Sequence, residues 1–289
     1  MRERGGPGRR KPRIMKTIAF LSLLLSFFLY AVSWAVHLAS FRRSQSDAHQ
    51  GATLWMRAGF AVSTVYFILE AVRMNSPLPV VHLPQALAFF AWSIAFVYSI
   101  PLGRIQSAAF GLVLTPLLAL LTGCAAVFFP IQGARVAAEA DGFFIAHIVS
   151  AFFAYACFTI AFAAGILYLI QRRELKARRA GTFYHKLPAL EPLEKLIFQP
   201  MGLGTLLLCL AVTVGFFWSH AEFGEYWLTD PKTVSTLFVI ALYSLILYLR
   251  YGLGIRGKRV ALAGLAAFAL LILTFVGLRF VGGSHNFLQ

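Results

Sequence analysis

The sequence predicts an all-α, polytopic integral membrane protein with about eight transmembrane helices. Three observations lead there. Hydrophobic residues fill 59% of the 289 positions and charged residues only 13%, with a mean hydropathy of +0.74; water-soluble domains are far more polar. The apolar residues form long continuous runs rather than short alternating ones. In lipid every backbone N–H and C=O must be paired, which such runs achieve as helices. Finally, the charges collect between the runs, and unevenly, which sets an orientation.

The runs lie near 17–39, 52–71, 84–103, 107–129, 143–170, 201–219, 234–251 and 260–281. Residues 1–16, MRERGGPGRRKPRIMK, form a basic head before a single membrane domain over 17–289. The first apolar run carries no small-residue cleavage site after it and reads as a retained helix rather than a removed signal. The third and fourth runs are separated by Gly103-Arg104 and together exceed one crossing.

Loop charge assigns the sides. The 171–200 connection opens QRRELKARR and the 250–259 connection reads RYGLGIRGKR, so both belong in the cytoplasm. Between them, HAEFGEYWLTDPKTV holds Glu222, Glu225 and Asp230 against Lys232 and belongs outside, with the C-terminal tail. Counting back puts Arg42, Arg43 and Arg104 inside and the N-terminus outside. The basic head conflicts with that last assignment, and translation from Met15 would remove most of the conflict.

The net charge of +15, from 26 basic and 11 acidic residues, is what cytoplasmic loops of a bilayer protein accumulate. No soluble domain carries it, so nucleic acid is not an expected partner and the lipid bilayer is. Cys124, Cys157 and Cys209 are isolated within apolar runs and read as small core residues. C-x-x-C and C-x-x-C-H are absent, which argues against a thiol–disulfide carrier and against a c-type cytochrome. Nor is there a nucleophile–base set, phosphate loop or H-E-x-x-H, which leans against an independent catalytic activity without deciding the point.

Under this topology His37, His49 and His185 lie at the cytoplasmic face or in its loops. His82, His147, His220 and His285 lie at or beyond the outer face. His147, in FFIAHIVSAFFAYACF, shares a helix face with Ser150, Ala151 and Ala154. Those small residues leave a groove for a flat ligand or for a neighbouring helix. His285 follows the last helix, where Gly282 and Gly283 let the chain fold back. Arg279 either snorkels to the interface or pairs with an anionic group there. Glu70 and Arg73, three apart near a helix end, read as a local ion pair.

The run from Trp218 to Lys232 resembles WA-x-x-x-WG-x-YW-x-WDPK. That tryptophan-rich (WWD-type) signature belongs to the CcsA/HemX-type haem-handling membrane proteins of cytochrome c biogenesis. Trp218, Gly224, Tyr226, Trp227, Asp230, Pro231 and Lys232 match it. The segments LPQALAFFAWSIAFVY, HIVSAFFAYACFTIAFAAGILYLIQRRELK and GIRGKRVALAGLAAFALLILTFVGLRFVGGSHNF resemble other family helices in the same order, over most of the chain from about residue 50. The resemblance implies a non-covalent, b-type haem with His147 and His285 as external axial ligands. The 218–232 loop would be the platform for the macrocycle, through Trp218, Phe223, Gly224, Tyr226, Trp227 and Asp230, with Arg279 at a propionate. It also implies a bacterial inner-membrane location, and apocytochrome c or other assembly proteins as partners. Phe223 and Thr229 stand where the signature has tryptophans. Pro77 and Tyr248 stand about where complete haem exporters have intramembrane histidines, with His82 nearby but out of register. The resemblance is therefore to the compact HemX-like branch, holding haem at the outer face for delivery or cytochrome maturation. Two alternatives stay open: a HemX-like regulator of tetrapyrrole synthesis acting on glutamyl-tRNA reductase, and a transporter or structural subunit without haem.

Overall fold

The computed structural model describes residues 10–43, 46–99, 108–129, 141–176, 187–224, 230–255 and 257–281, without the side chains of 10–13, 46–49 and 274–281. Among these residues there are eight helices and no strand: α1 Arg10–Arg43, α2 Ser46–Met74, α3 Leu83–Ser99, α4 Ala108–Phe128, α5 Gly142–Lys176, α6 Leu190–Phe223, α7 Pro231–Tyr251 and α8 Lys258–Val281. Each apolar run falls on one helix. Six helices are long and apolar enough to cross a bilayer, and α3 is apolar but only 17 residues long. Lipid-type side chains such as Leu21, Leu25, Phe28, Leu206, Leu210 and Phe238 are exposed along them. Such surfaces are stable only in hydrocarbon, so the protein is a multi-pass membrane protein.

Several helices run past the expected spans: α1 starts at Arg10, α2 at Ser46, and α5 reaches Lys176. The third helix is described to Ser99, and Gly103 and Arg104 lie outside the described residues. The sixth starts at Leu190 and ends at Phe223, so it takes in much of what reads as the basic connection and part of what reads as the aromatic loop. The early start has a packing cause. Leu193, Leu196, Ile197 and Phe198 are buried, while Glu191 pairs with Lys195 at 2.9 Å and Glu194 with Arg250 at 3.0 Å. The charges that make LEPLEKLIFQP look like a loop are thus neutralised by Lys195 on the helix itself and by Arg250 of α7.

The helices form two groups. α1 packs on α2 and α4, with α3 against α4; α5 and α6 form a long antiparallel pair, with α7 and α8 against it; α3 and α4 meet α5. The α1–α2 seam is a heptad of small and polar residues. Ala19, Leu23, Ser26, Tyr30, Ser33, His37 and Ser40 on α1 are buried, as are Ala52, Met56, Ser63, Tyr66 and Glu70 on α2. The alternating spacing of four and three keeps one face turned to the partner. Tyr30 lies over Gly59, where a Cβ would stand 2.9 Å from its ring, and Ser33 Oγ donates to the Ala52 carbonyl at 2.8 Å. Close backbone approach and hydroxyl bonds are what hold helices together where burial gives no preference over lipid. His37, in the same α1 register, is buried with its ring packed over Gly111 of α4.

The two groups meet through aromatic rings. Trp92 of α3 stacks between Phe89 and Phe96 at 5.7 and 5.5 Å and donates its indole N–H to Thr64 Oγ1 at 2.9 Å. Phe152 and Phe153 of α5 meet this ladder edge-on. Phe89 and Phe96, two turns apart on α3, thus both rest on the adjacent rings Phe152 and Phe153 of α5.

Candidate functional site

The helix that carries His147 begins with a cap. Asp141 accepts the N–H groups of Phe143 and Phe144, the latter at 3.1 Å, which satisfies two of the N–H groups a helix start leaves over. His147 then falls in the second turn of α5. Opposite it, α6 runs antiparallel: Phe144 meets Trp218, His147 meets Ala211 and Gly215, Ala154 meets Gly204, and Tyr168 meets Glu194.

The His147 Nδ1–H donates to the Ala211 carbonyl at 2.7 Å. A carbonyl only accepts, so Nδ1 carries the proton and Nε2 keeps the lone pair. At Gly215 a Cβ would stand 2.7 Å from Nδ1 and 2.9 Å from Cε1, so the imidazole fills the space that any other residue would occupy. The groove expected beside Ser150 and Ala154 is therefore taken by α6. Ser150 Oγ turns back to the Ala146 carbonyl at 2.6 Å, and the Ala154 carbonyl lies 3.1 Å from where a Gly204 Cβ would be.

One turn beyond Gly215, Trp218 packs against Phe144 at 5.2 Å and, edge to face, against Phe223 at 5.6 Å. The helix ends at Gly224, in the left-handed region with φ 72°, its N–H bonded to the His220 carbonyl. Only glycine adopts this conformation without strain. Asp230 is the N-cap of α7 and accepts the Lys232 N–H at 3.1 Å, with Pro231 in the first helical position. Asp230 therefore shapes the start of the next helix, a cap role already legible in the Asp-Pro step.

The structure thus gathers His147, Trp218, Phe223 and Gly224 at one end of the α5–α6 pair. Tyr226, Trp227 and His285 lie outside the described residues, as does the side chain of Arg279. α8 runs antiparallel to α5, with Phe268 stacked on Phe162 at 4.5 Å and Leu265 against Gly165, so its last turns, including Arg279, come to the His147 end. His220 sits exposed on the last turn of α6. His82 lies in the α2–α3 connection, its N–H donating to Gln85 Oε1 at 2.8 Å. Sequence reasoning missed Phe144, Ala211 and Gly215. Phe144, one turn before the histidine, and Gly215, one turn before Trp218, carried a periodicity signal; a backbone carbonyl carries none.

Among the described residues no group of three or more His, Cys, Asp or Glu is arranged for a metal ion. A haem asks less of the protein. Its porphyrin supplies the equatorial nitrogens, leaving one neutral imidazole nitrogen per axial position and an apolar surround to be provided. His147, with Nδ1–H tied to a carbonyl and aromatic rings alongside, meets that description.

The sequence model of the family described as "Cytochrome C assembly protein" matches residues 80–285. The chain belongs to the cytochrome c assembly protein family. The matched region takes in His147, the Trp218–Lys232 segment and His285, and leaves out α1 and α2. Protein HemX of Brevibacillus brevis is 29% identical over 260 residues, covering 88% of this chain and 93% of that one. Protein HemX of Bacillus subtilis (strain 168) is 23% identical, covering 90% and 94%. The cytochrome c biogenesis protein CcsA of Porphyra purpurea is 23% identical over 253 residues, covering 74% and 79%. Among solved structures, cytochrome c heme lyase CcmF aligns with a TM-score of 0.60 at 15% identity, over 90% of this chain. The chain spans 46% of that protein's length, and the likeness is one of fold. The family and the relatives are those that the motifs imply, with the family match beginning at residue 80 rather than near 50.

Proposed function

We propose that the chain binds a b-type haem non-covalently at the outward face of a bacterial plasma membrane, between His147 and His285, and holds it for the maturation of c-type cytochromes. The observation that carries this reading is the imidazole of His147, held by the Ala211 carbonyl in the tautomer that leaves Nε2 for a metal. Trp218, Phe144 and Phe223 supply the apolar, aromatic wall beside it; the family resemblance assigns Tyr226 and Trp227 to the same platform and Arg279 to a propionate. When bound, the haem supplies an iron centre that a recipient apocytochrome c takes up; the chain's own part is to orient, shield and release it.

The outward orientation is supported by charge. The far end of the α5–α8 group carries Arg172, Arg173, Lys176, Lys195, Arg250, Lys258 and Arg259 with Glu174, Glu191 and Glu194, whereas the His147 end carries Asp141, Glu222 and Asp230 with Lys232. The basic end faces the cytoplasm.

The test is an absorption spectrum of detergent-purified protein loaded with haem. His147→Ala and His285→Ala should each abolish or strongly shift the Soret band. Unchanged spectra in both variants, or wild-type protein that takes up no haem, overturn the assignment. A strain lacking the chain should be short of c-type cytochromes; normal cytochromes with accumulated tetrapyrrole precursors would instead point to regulation of haem synthesis.

A further inference from the structure

The α5–α6 pair carries glycines at two contacts. Gly204 lets the backbones approach, with a would-be Cβ 2.9 Å from Phe158 and 3.1 Å from the Ala154 carbonyl. Gly215 lies three turns along on the same face of α6 and receives an imidazole instead of backbone. Ala211, one turn before it, presents the carbonyl that fixes the proton on Nδ1. Ring plane and tautomer are thus set by two consecutive turns of a neighbouring helix, one through contact and one through a hydrogen bond.

We infer that Gly215 is a positioning residue for iron ligation: with the Ala211 carbonyl it forms a socket on α6 that holds the His147 ring at one angle and in one tautomer. This rests on His147 being an axial ligand. A methyl group at position 215 would lie 2.7 Å from Nδ1, so the ring must turn and leave the Ala211 carbonyl. Two consequences follow. The proton is no longer confined to Nδ1, so part of the population carries it on Nε2 and cannot ligate. A ligand without that hydrogen bond is also less basic and favours ferric iron less, so the reduction potential rises.

The experiment compares Gly215→Ala, Gly204→Ala and Gly202→Ala in haem-loaded protein by absorption, low-temperature electron paramagnetic resonance and redox titration. Gly215→Ala should weaken haem retention about 10- to 100-fold, move the low-spin signal and raise the potential. Gly204→Ala crowds the same helix pair away from the histidine; it should lower thermal stability and leave the spectrum and potential unchanged. Gly202 has nothing within 4 Å of a Cβ, and its alanine variant should match wild type in all readouts. Wild-type spectrum and potential in Gly215→Ala overturn the inference, and so does an identical spectral change in Gly204→Ala. Should Gly215→Ala fail to fold, His147→Gly gives the protein room. Free imidazole should then restore the band in His147→Gly at least about tenfold more tightly than in His147→Gly with Gly215→Ala, and equal affinities overturn the socket. Retention of the native band in His147→Ala would instead sink the ligand assignment beneath it.

Discussion

Glu70 is fully buried, yet it accepts from Arg73 Nε at 2.8 Å and Nη2 at 2.6 Å, and from Gln85 Nε2 at 3.3 Å. A carboxylate out of water keeps its charge only with such partners, and removing one leaves a buried charge worth about 3–5 kcal/mol of destabilisation. Arg73→Ala should therefore lower the unfolding midpoint in detergent far more than Arg73→Lys, which keeps the charge but not the fork. Equal loss in both would show that the bidentate geometry contributes nothing. The Glu70–Arg73 pair was legible as neighbours on a helix face; Gln85 was not, because it comes from the next helix. The candidate site follows the same division. His147 and Trp218 could be read as residue types in a motif, but the Ala211 carbonyl that orients the imidazole is the same chemical group at every position of the chain. What a side chain is can be read from the sequence; which backbone atom faces it depends on the register of two helices.

At the level of elements, α6 and α7 show why some boundaries read well and others do not. The start of α7 is local chemistry: Asp230 caps it and Pro231 occupies the position where no N–H is needed. Asp230→Ala should cost about 1 kcal/mol of stability, measured by thermal unfolding, whereas Asp230→Asn keeps an accepting oxygen and should be nearly neutral. A large loss in both would assign the carboxylate a role beyond the cap. The start of α6 is not local. Glu191, Glu194 and Lys195 look like loop charges until Lys195 and Arg250 are seen to pair with the two glutamates, and Arg250 arrives from α7. The α1–α2 heptad was hidden for another reason: serines and tyrosines occupy its seam positions, and a reading that looks for apolar faces passes over them.

For the whole molecule, the eight helices of the described residues were legible because each apolar run is self-sufficient in lipid. The way the two groups meet was not, since it depends on rings in α3 and α5 that are far apart in the chain. Charge at the two ends gives a testable orientation. In a cysteine-free background, a single cysteine replacing Glu222 should react with a membrane-impermeant maleimide on intact cells. One replacing Lys258 should react only after permeabilisation, and the reverse pattern would invert the assignment. The long antiparallel pair has one more consequence. At about 1.5 Å per residue, the 35 residues of α5 and the 34 of α6 each extend well beyond a hydrocarbon layer about 30 Å thick. The imidazole and the first indole stand on these two rods and owe their separation to neither flanking connection. Extra residues can therefore be inserted between Gly224 and Asp230, up to a whole folded module, without changing how His147 meets α6.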